Sequence, residues 1–238
     1  MSSSVRVLLA SDVHVGEWAA DRGTAVTLLV DAAIAYGADL LVLVGDTFDH
    51  NRVPTEVGQA LTDELGRLDI PVVVLPGNHD CLVPGAIWSR VVLPENVHVL
   101  TDPDGQHLEL HGLDLELWGR PHPSYSDLRP LAGLPPRGQR TWQVALAHGH
   151  MVLGPDDLHR AYQITPEEIS NSDRDYVALG HWDVARDMSA GGVTARYSGS
   201  ASRFNVCALA TLTLDGDGTR QVDVESLRLA GSTPEPPS

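Results

Sequence analysis

Five short clusters of aspartate, asparagine, histidine and glycine recur along this chain of 238 residues, and most of them directly follow a short apolar run. The clusters are Ser11-Asp12-Val13-His14, Gly45-Asp46-Thr47-Phe48-Asp49, Gly77-Asn78-His79-Asp80, His148-Gly149-His150 and Gly180-His181-Trp182-Asp183. Carboxylate, amide and imidazole groups together are ligands that suit divalent ions such as Mn, Fe, Mg or Zn. Their residue types therefore indicate a metal site, provided that the fold brings the clusters together.

Each cluster alone has a structural explanation, because Asp and Asn are frequent at helix caps and Gly-Asp pairs are frequent in turns. His148 and His150 could equally be exposed residues at a strand end, and His181 with Asp183 could be a surface pair. Only the cluster Gly77–Asp80 favours a functional role by itself. The order of all five at predicted strand ends favours one shared site.

The apolar runs predict the elements that position these clusters. Residues 5–10, 40–44, 72–75, 144–147 and 177–179 are almost entirely apolar, as in strands that are buried on both faces. Residues 24–36, stopped by Gly37, and residues 55–68, with Pro54 at the start, have helical patterns. Strands alternating with helices predict an α/β fold with parallel strands, in which ligands gather at the carboxyl ends of the strands.

The second half of the chain has a different pattern. Alternating residues around His111-Gly112 predict a hairpin, and a second hairpin is predicted between residues 209–214 and 222–227. Thr165 and Glu168 have the spacing of a capping box. We predict one domain over residues 1–230, followed by a disordered tail over residues 231–238.

The composition is that of an ordinary globular protein and not of a membrane-spanning one. Apolar residues make up 42% of the chain and charged residues 20%, and no apolar run approaches the roughly 20 residues of a membrane span. The short N-terminal run and the two cysteines predict a cytoplasmic protein that is not built on disulfides. The net charge of −16 argues against a long nucleic-acid footprint, although bound cations would reverse the charge locally.

The ordered series from Asp12 to Asp183 resembles the calcineurin-like metallophosphoesterase family, most specifically in its Gly-Asn-His-Asp block. The segments Gly45–Asp49, Leu179–His181 and Tyr197–Ser200 further resemble the SbcD/Mre11-type branch of DNA-repair exonucleases. The resemblance implies a single-domain, four-layered α/β/β/α sandwich that uses two divalent ions. Manganese is the expected metal, with Fe, Mg or Zn as alternatives.

The resemblance also implies a role for each matching residue. Asp12 and His14 would bind the first metal, and Asp46 would bridge both. Asn78, His148 and His181 would complete the second metal site. His79 would protonate the leaving oxygen, and Asp80 would orient the His79 imidazole.

The last cluster departs from the family pattern, which usually ends in Gly-His-x-His. Asp183 stands where the second histidine would bind the first metal. A carboxylate could bind the same ion and lower the net charge of the site from +2 to +1, which favours a diester monoanion over a monoester dianion. Alternatively, Asp183 lies behind the ligands and the first metal binds poorly.

Several neighbouring residues have open roles. His150 could contact substrate or metal ligands, or be a simple loop histidine. His50, Asn51 and Arg52 are close enough in sequence to reach a substrate phosphate. Trp18 and Trp182 could stack on a base, but packing is the more ordinary role for tryptophan.

The predicted activity is metal-assisted hydrolysis of a phosphodiester, either in DNA by an exonuclease or nuclease or in a smaller nucleotide. A phosphomonoesterase or cyclic-nucleotide phosphodiesterase is the alternative among enzymes, because the chain is short and acidic. A non-catalytic metal-binding scaffold is the alternative outside enzymes, but an intact His79 argues against it. A membrane is not expected as a partner, and a partner ATPase and the oligomeric state stay open.

Overall fold

The computed structural model describes residues 3–16 and 22–229. Its strands are β1 (Ser3–Ala10), β2 (Leu40–Val44), β3 (Val72–Leu75), β4 (Val97–Val99), β5 (Gln106–Leu110), β6 (Leu115–Gly119), β7 (Trp142–His148), β8 (His150–Met151), β9 (Gln163–Ile164), β10 (Tyr176–Gly180), β11 (Arg186–Asp187), β12 (Thr194–Tyr197), β13 (Val206–Leu214) and β14 (Arg220–Arg228). The helices are α1 (Arg22–Ala35), α2 (Thr55–Leu65) and α3 (Pro166–Ser170). All five predicted apolar strands are present, and β2 and β3 have the predicted bounds.

The first sheet has six strands in the order β14-β13-β1-β2-β3-β4. Strands β1 to β4 run parallel to one another, as the alternation of strands and helices predicts. Strand β13 pairs antiparallel with both β1 and β14. The predicted C-terminal hairpin is therefore confirmed, and it extends the parallel part of the sheet.

The second sheet also has six strands, in the order β11-β12-β10-β7-β6-β5. Strands β6, β7, β10 and β12 are parallel. Strands β5 and β6 form the predicted antiparallel hairpin, which turns through Asp114 at φ 47°. The small remaining pair, β8 and β9, is parallel.

The two sheets pack face to face and enclose an apolar core. Side chains such as Leu9 and Val42 from the first sheet meet Val144 and Ala178 from the second in this core. A second apolar cluster lies between the first sheet and helices α1 and α2. The outer face of the second sheet packs on α3 and irregular segments through a third cluster, which includes Ile169. These layers confirm the single-domain α/β/β/α sandwich, with a fourth layer that contains little helix in the described residues.

The helix predictions differ from the structure mainly at their ends. Helix α1 ends at Ala35, and Gly37 adopts the left-handed φ of 57° that favours glycine. Helix α2 ends at Leu65 rather than near residue 68, because the chain turns at Gly66. Pro54 precedes the first helical residue. The capping box of α3 is confirmed, since Thr165 Oγ1 accepts from the Glu168 amide and Glu168 bonds the Thr165 amide.

Trp18 and the predicted tail over residues 231–238 lie outside the described residues. None of the helices in the described part of the chain is long and apolar enough to cross a membrane.

Candidate metal centre

The five predicted clusters lie at strand ends of both sheets. Three follow β1, β2 and β3 of the first sheet, and two follow β7 and β10 of the second. Glycines permit the close contact between the sheets. A Cβ at Gly45 would lie 2.0 Å from His148 Nδ1, and one at Gly180 would lie 1.9 Å from the Val44 carbonyl oxygen. No side chain fits at these two positions without displacing the site.

Four of the predicted metal ligands have positive backbone φ, which non-glycine residues seldom adopt. The angles are 53° at Asp12, 49° at His14, 51° at Asp46 and 99° at His181. Such conformations are concentrated at functional sites, where the surrounding structure holds them at a cost of about 1–3 kcal/mol each. The loops are therefore shaped for the positions of these side chains rather than for their own stability.

Asp46 lies at the centre of the site. Its Oδ2 is 3.1 Å from His148 Nε2 and 4.0 Å from His79 Nε2, and its Oδ1 accepts from the His79 amide at 2.9 Å. Two groups of candidate metal ligands are found among the described residues, and both include Asp46. One contains His14 and His79, and the other contains His148 and His181. This arrangement suits a carboxylate shared by two ions.

His148 presents a ligand atom to this carboxylate. Its Nδ1 donates to the Val44 carbonyl at 2.8 Å, which leaves Nε2 facing Asp46. Burial disfavours the charged ring, but Asp46 and Asp12 outweigh it and raise the His148 pKa to about 9. Without metal, a proton therefore lies between His148 and Asp46, and the same two carboxylates that retain it would attract a metal cation.

Asn78 supplies a further indication of a metal. Its Oδ1 is buried and has no hydrogen-bond partner among the described residues. Buried polar atoms normally have partners, and unpaired ones cost about 1–3 kcal/mol. A cation bound by Asn78 Oδ1 would satisfy it.

Asp12 and His181 lie next to each other. Asp12 Oδ2 accepts from the His181 amide at 3.0 Å, and its Oδ1 is 3.9 Å from His14 Nε2. Burial raises the Asp12 pKa despite the opposing effect of His148. Burial, together with the repulsion of His148, lowers the pKa of His181 to about 3. The His181 ring is thus neutral at pH 7, the form in which imidazole binds metals.

His79 is more accessible than these residues. Its side chain is 45% exposed, and its Nδ1 lies 2.8 Å from the Asp49 backbone carbonyl, to which it donates. Nε2 therefore points into the site. The structure also places His79 near enough to His14 and Asp46 to bind an ion, so its role as an acid rather than a ligand stays a prediction.

The role predicted for Asp80 differs from the structure. The Asp80 carboxylate is fully buried and accepts from four groups, the amides of Gly77, Thr47 and Phe48 and the indole of Trp88. It has no hydrogen bond to the His79 imidazole, which the Asp49 carbonyl orients instead. Asp80 joins the loops that follow β2 and β3, because its side chain points towards their backbone amides. Burial and Asp46 raise its pKa to about 6.

Asp183 lies in a cavity of about 500 Å³ that is also lined by His14 and His79. It is not a member of either ligand group among the described residues, and Asp12 is not either. Its Oδ2 accepts from Arg203 Nη1 at 2.6 Å. Its binding to the first metal stays a prediction. The structure shows instead that the Asp183 carboxylate forms an ion pair with Arg203.

His150 and Trp182 contact each other. Trp182 Nε1 donates to His150 Nδ1 at 3.1 Å, and His150 Nε2 donates to Asp157 at 3.2 Å. The Trp182 ring stacks on Tyr197 with centroids 4.6 Å apart. The Trp182 ring therefore packs against the protein, which is the more ordinary role expected for it. Both ring nitrogens of His150 have hydrogen-bond partners in the protein.

Sequence reasoning missed two residues of the site, Asp49 and His122. Asp49 belongs to the second cluster, but the resemblance assigned it no role. His122 is fully buried, donates from Nε2 to the His148 carbonyl at 2.9 Å, and packs against the His148 ring. The sequence could have indicated His122 as a site residue, because it follows β6 closely and the other site residues also follow strands. Asn51 is buried as well, where it bonds the backbone of Cys81 and Ile87.

The chain is similar in sequence to known proteins. Residues 5–185 match the calcineurin-like phosphoesterase family, so the chain belongs to that family. It is 27% identical over 189 residues to the uncharacterized metallophosphoesterase YhaO of Bacillus subtilis (strain 168). That match covers 75% of this chain but only 45% of the relative, so the chain spans less than half of its length.

Solved structures share the fold. The protein TT1561 of Thermus thermophilus matches with a TM-score of 0.62 at 13% identity, over 95% of this chain and all of that one. A putative 5′-nucleotidase from Staphylococcus aureus matches with a TM-score of 0.63 at 14% identity, over 97% of this chain and 55% of that one. At these identities the likeness concerns the fold alone.

Members of this family typically use two divalent ions, and the two groups of candidate ligand atoms that share Asp46 fit such a pair. The unpaired Asn78 oxygen fits a metal, and so does the mixed donor set. When bound, such ions supply Lewis acidity and neutralise charge on phosphate oxygens.

Proposed function

We propose that this protein hydrolyses phosphodiester bonds in nucleotides or DNA with the aid of two divalent ions. One ion would be held by Asp12, His14 and Asp46. The other would be held by Asp46, Asn78, His148 and His181. Manganese is the metal we would supply first, because carboxylate and amide oxygens are numerous in the donor set.

The observation that carries the proposal is the position of His79. Its exposed imidazole lies beside Asp46 and opens into a cavity of about 500 Å³. A leaving group in that cavity would lie within reach of His79 Nε2, while Nδ1 stays bonded to the Asp49 carbonyl. A metal-binding scaffold would not need an accessible imidazole at this place.

Each residue of the site would have its own role. Asp46 and Asp12 would bind the divalent ions and so keep positive charge where the phosphate binds. His79, protonated at Nε2, would transfer that proton to the departing oxygen, a step that general acids typically accelerate by about 10² to 10⁴-fold. The Asp49 carbonyl keeps the ring in place by accepting from Nδ1 in both protonation states.

Charge alone does not separate a diester from a monoester here, because Arg203 lines the same cavity and pairs with Asp183. Two divalent ions and Arg203 less the charges of Asp12, Asp46 and Asp183 leave about +2 at the site, so the preference for a diester rests on the sequence motifs. The DNA-repair exonuclease branch is the finer proposal, and it rests on the motifs of residues 45–49, 179–181 and 197–200.

The test is a panel of substrates with the manganese-loaded protein. Bis(4-nitrophenyl) phosphate, 4-nitrophenyl phosphate, cyclic nucleotides and linear DNA are compared by kcat/KM, with Asp46→Ala as the inactive control. We expect diesters to exceed the monoester, and DNA to release nucleotides. A monoester preference would replace this proposal with a phosphomonoesterase, and full metal binding without turnover would favour a scaffold.

A further inference from the structure

The cavity beside His79 is also lined by an arginine whose role the metal chemistry does not explain. Arg203 lines the same cavity of about 500 Å³ as His14, His79 and Asp183. Its side chain is 69% exposed. In a chain with a net charge of −16, a permanent cation facing this cavity is unusual enough to need a reason.

The guanidinium of Arg203 is held in place by two contacts. Nη1 donates to Asp183 Oδ2 at 2.6 Å, and the guanidinium carbon lies 5.5 Å from the centre of the Phe204 ring. The structure shows no other hydrogen bond from this guanidinium to the described residues. Since a guanidinium has five N–H donors, several stay available for a ligand.

Backbone contacts link Arg203 to the metal centre through Ser200. The Arg203 amide donates to Ser200 Oγ at 3.1 Å, and the Ser200 hydroxyl donates to the Asp12 carbonyl at 2.9 Å. The Ser200 amide donates to the Asp183 carbonyl at 2.8 Å. The arginine, its carboxylate partner and a predicted metal ligand therefore have a defined spacing.

We propose that Arg203 forms an anion subsite for a phosphate on the leaving group, and that Asp183 positions the arginine there. The inference rests on the proposed function, because the leaving group is located by His79. The departing oxygen must lie near the His79 imidazole, so the rest of the leaving group occupies the cavity that Arg203 lines. A guanidinium is well suited to a phosphate, because its N–H groups match two phosphate oxygens.

This subsite gives Asp183 a role that its place in the family pattern does not suggest. The imidazole expected there could not form an ion pair with Arg203 while neutral. A carboxylate at residue 183, unlike a neutral imidazole, can form the ion pair that holds Arg203 beside the last cluster. The favoured substrate class becomes a diester whose leaving group carries its own phosphate, as in an oligonucleotide.

Binding tests the subsite independently of turnover. Phosphorothioate-linked thymidine dinucleotides are titrated calorimetrically into the manganese-loaded protein with a terminal phosphate at the 5′ end, at the 3′ end or at neither. We expect one terminal phosphate to tighten binding about tenfold, the scale of a charge-assisted contact. Arg203→Ala should lose that gain, and Arg203→Lys should recover part of it.

Arg186→Ala is the matched control, because Arg186 is an exposed arginine that lies over the Trp182 ring and does not line the cavity. It should retain the gain. The proposal is overturned if neither terminal phosphate tightens binding, or if the gain survives in Arg203→Ala. Absence of turnover with the gain intact would instead refute the proposed function alone.

Two further readouts separate the roles of the pair. With phosphodiester dinucleotides, product analysis should place the effective phosphate on the leaving side, with the effect in KM rather than kcat. Asp183→Asn should lose part of the gain while keeping its metal content. Loss of a bound ion in that variant would overturn the role of Asp183 as the anchor and make it a metal ligand.

Discussion

At the scale of single residues, Asp46 is the carboxylate that both candidate ion sites share. Its two oxygens meet His148, His79 and the His79 amide, and both candidate ligand groups include it. Removing one shared carboxylate would therefore affect two ions at once. Replacing any other predicted ligand would affect one.

We expect Asp46→Ala to abolish turnover and to weaken the binding of both ions, as measured by elemental analysis after dialysis. Asp69→Ala is the control, because Asp69 is an exposed carboxylate that precedes β3 at the other end of the sheet. A variant at residue 46 that kept two tightly held ions would refute the shared role.

His79 provides a second test at this scale. We expect His79→Ala to keep both ions and to lower turnover by about 10²-fold or more on substrates with poor leaving groups. The loss should shrink for nitrophenyl esters, because nitrophenolate departs without a proton. Equal losses on both kinds of ester would contradict the assignment, and so would the loss of an ion. His111→Ala, in the exposed hairpin turn, serves as the control.

At the scale of elements, the loops after β1 and β12 are joined by hydroxyl groups. Ser198 Oγ donates to Ser11 Oγ at 3.0 Å, and Ser200 Oγ donates to the Asp12 carbonyl at 2.9 Å. Ser11 and Ser200 also form an isolated parallel bridge. Since β1 belongs to the first sheet and β12 to the second, these bonds tie the sheets together beside the metal centre.

Ser200→Ala should therefore reduce both stability and metal affinity. The buried Asp12 carbonyl loses a donor, although Ser202 Oγ still contacts it at 3.2 Å. We expect the free energy of unfolding to fall by about 1–3 kcal/mol and the affinity for the first ion to weaken. Denaturant unfolding and metal titration measure the two effects. Ser170→Ala removes a peripheral hydroxyl and should change neither, and an unchanged metal affinity in Ser200→Ala would contradict the link.

The elements also show how far sequence reasoning reaches. Continuous apolar runs identified β1, β2, β3, β7 and β10, because a strand that is buried on both faces has no polar position. The runs could not show that three of these strands lie in one sheet and two in another, since that division depends on pairing between distant segments. The helix ends were less accurate. Helix α2 ends at Leu65, and a Cβ at Gly66 would lie 2.9 Å from the side chain of Pro94, a neighbour that the local pattern does not reveal.

The candidate site was predictable where a residue type carries the chemistry. Asp12, Asp46, His148 and His181 meet at the strand ends, as their pattern suggested, and Asn78 follows the end of β3. The contacts of Asp49 and Asp80 were not predictable, since they depend on backbone carbonyls and amides that carry no sequence signal. The pairing of Arg203 with Asp183 was not predictable either, since it joins residues 20 positions apart in the chain. The positive φ angles at four ligands are likewise invisible in the sequence, because they occur at non-glycine residues.

At the scale of the whole molecule, the metal-free protein carries a proton on His148 beside the Asp46 carboxylate. The His148 pKa of about 9 exceeds the ordinary 6.5, so its ion pair stabilises the metal-free fold fully below about pH 6.5. That contribution disappears as pH rises through 9. A metal ion must displace this proton, so its binding should release protons and strengthen with rising pH up to about 9.

Calorimetric titration with Mn²⁺ at pH 7 in buffers of different ionisation enthalpy measures this release. We expect at least one proton per chain, and thermal unfolding should shift upwards once the ions are bound. A binding enthalpy that is independent of the buffer would contradict the protonated state of His148.

The most direct test of the central claim is a stepwise titration of the metal-free protein with Mn²⁺. Bound metal and turnover of bis(4-nitrophenyl) phosphate are followed in the same samples. We predict that two ions bind per chain and that turnover rises only as the second is taken up. Full turnover with one ion per chain, or none with two ions bound, would contradict the account.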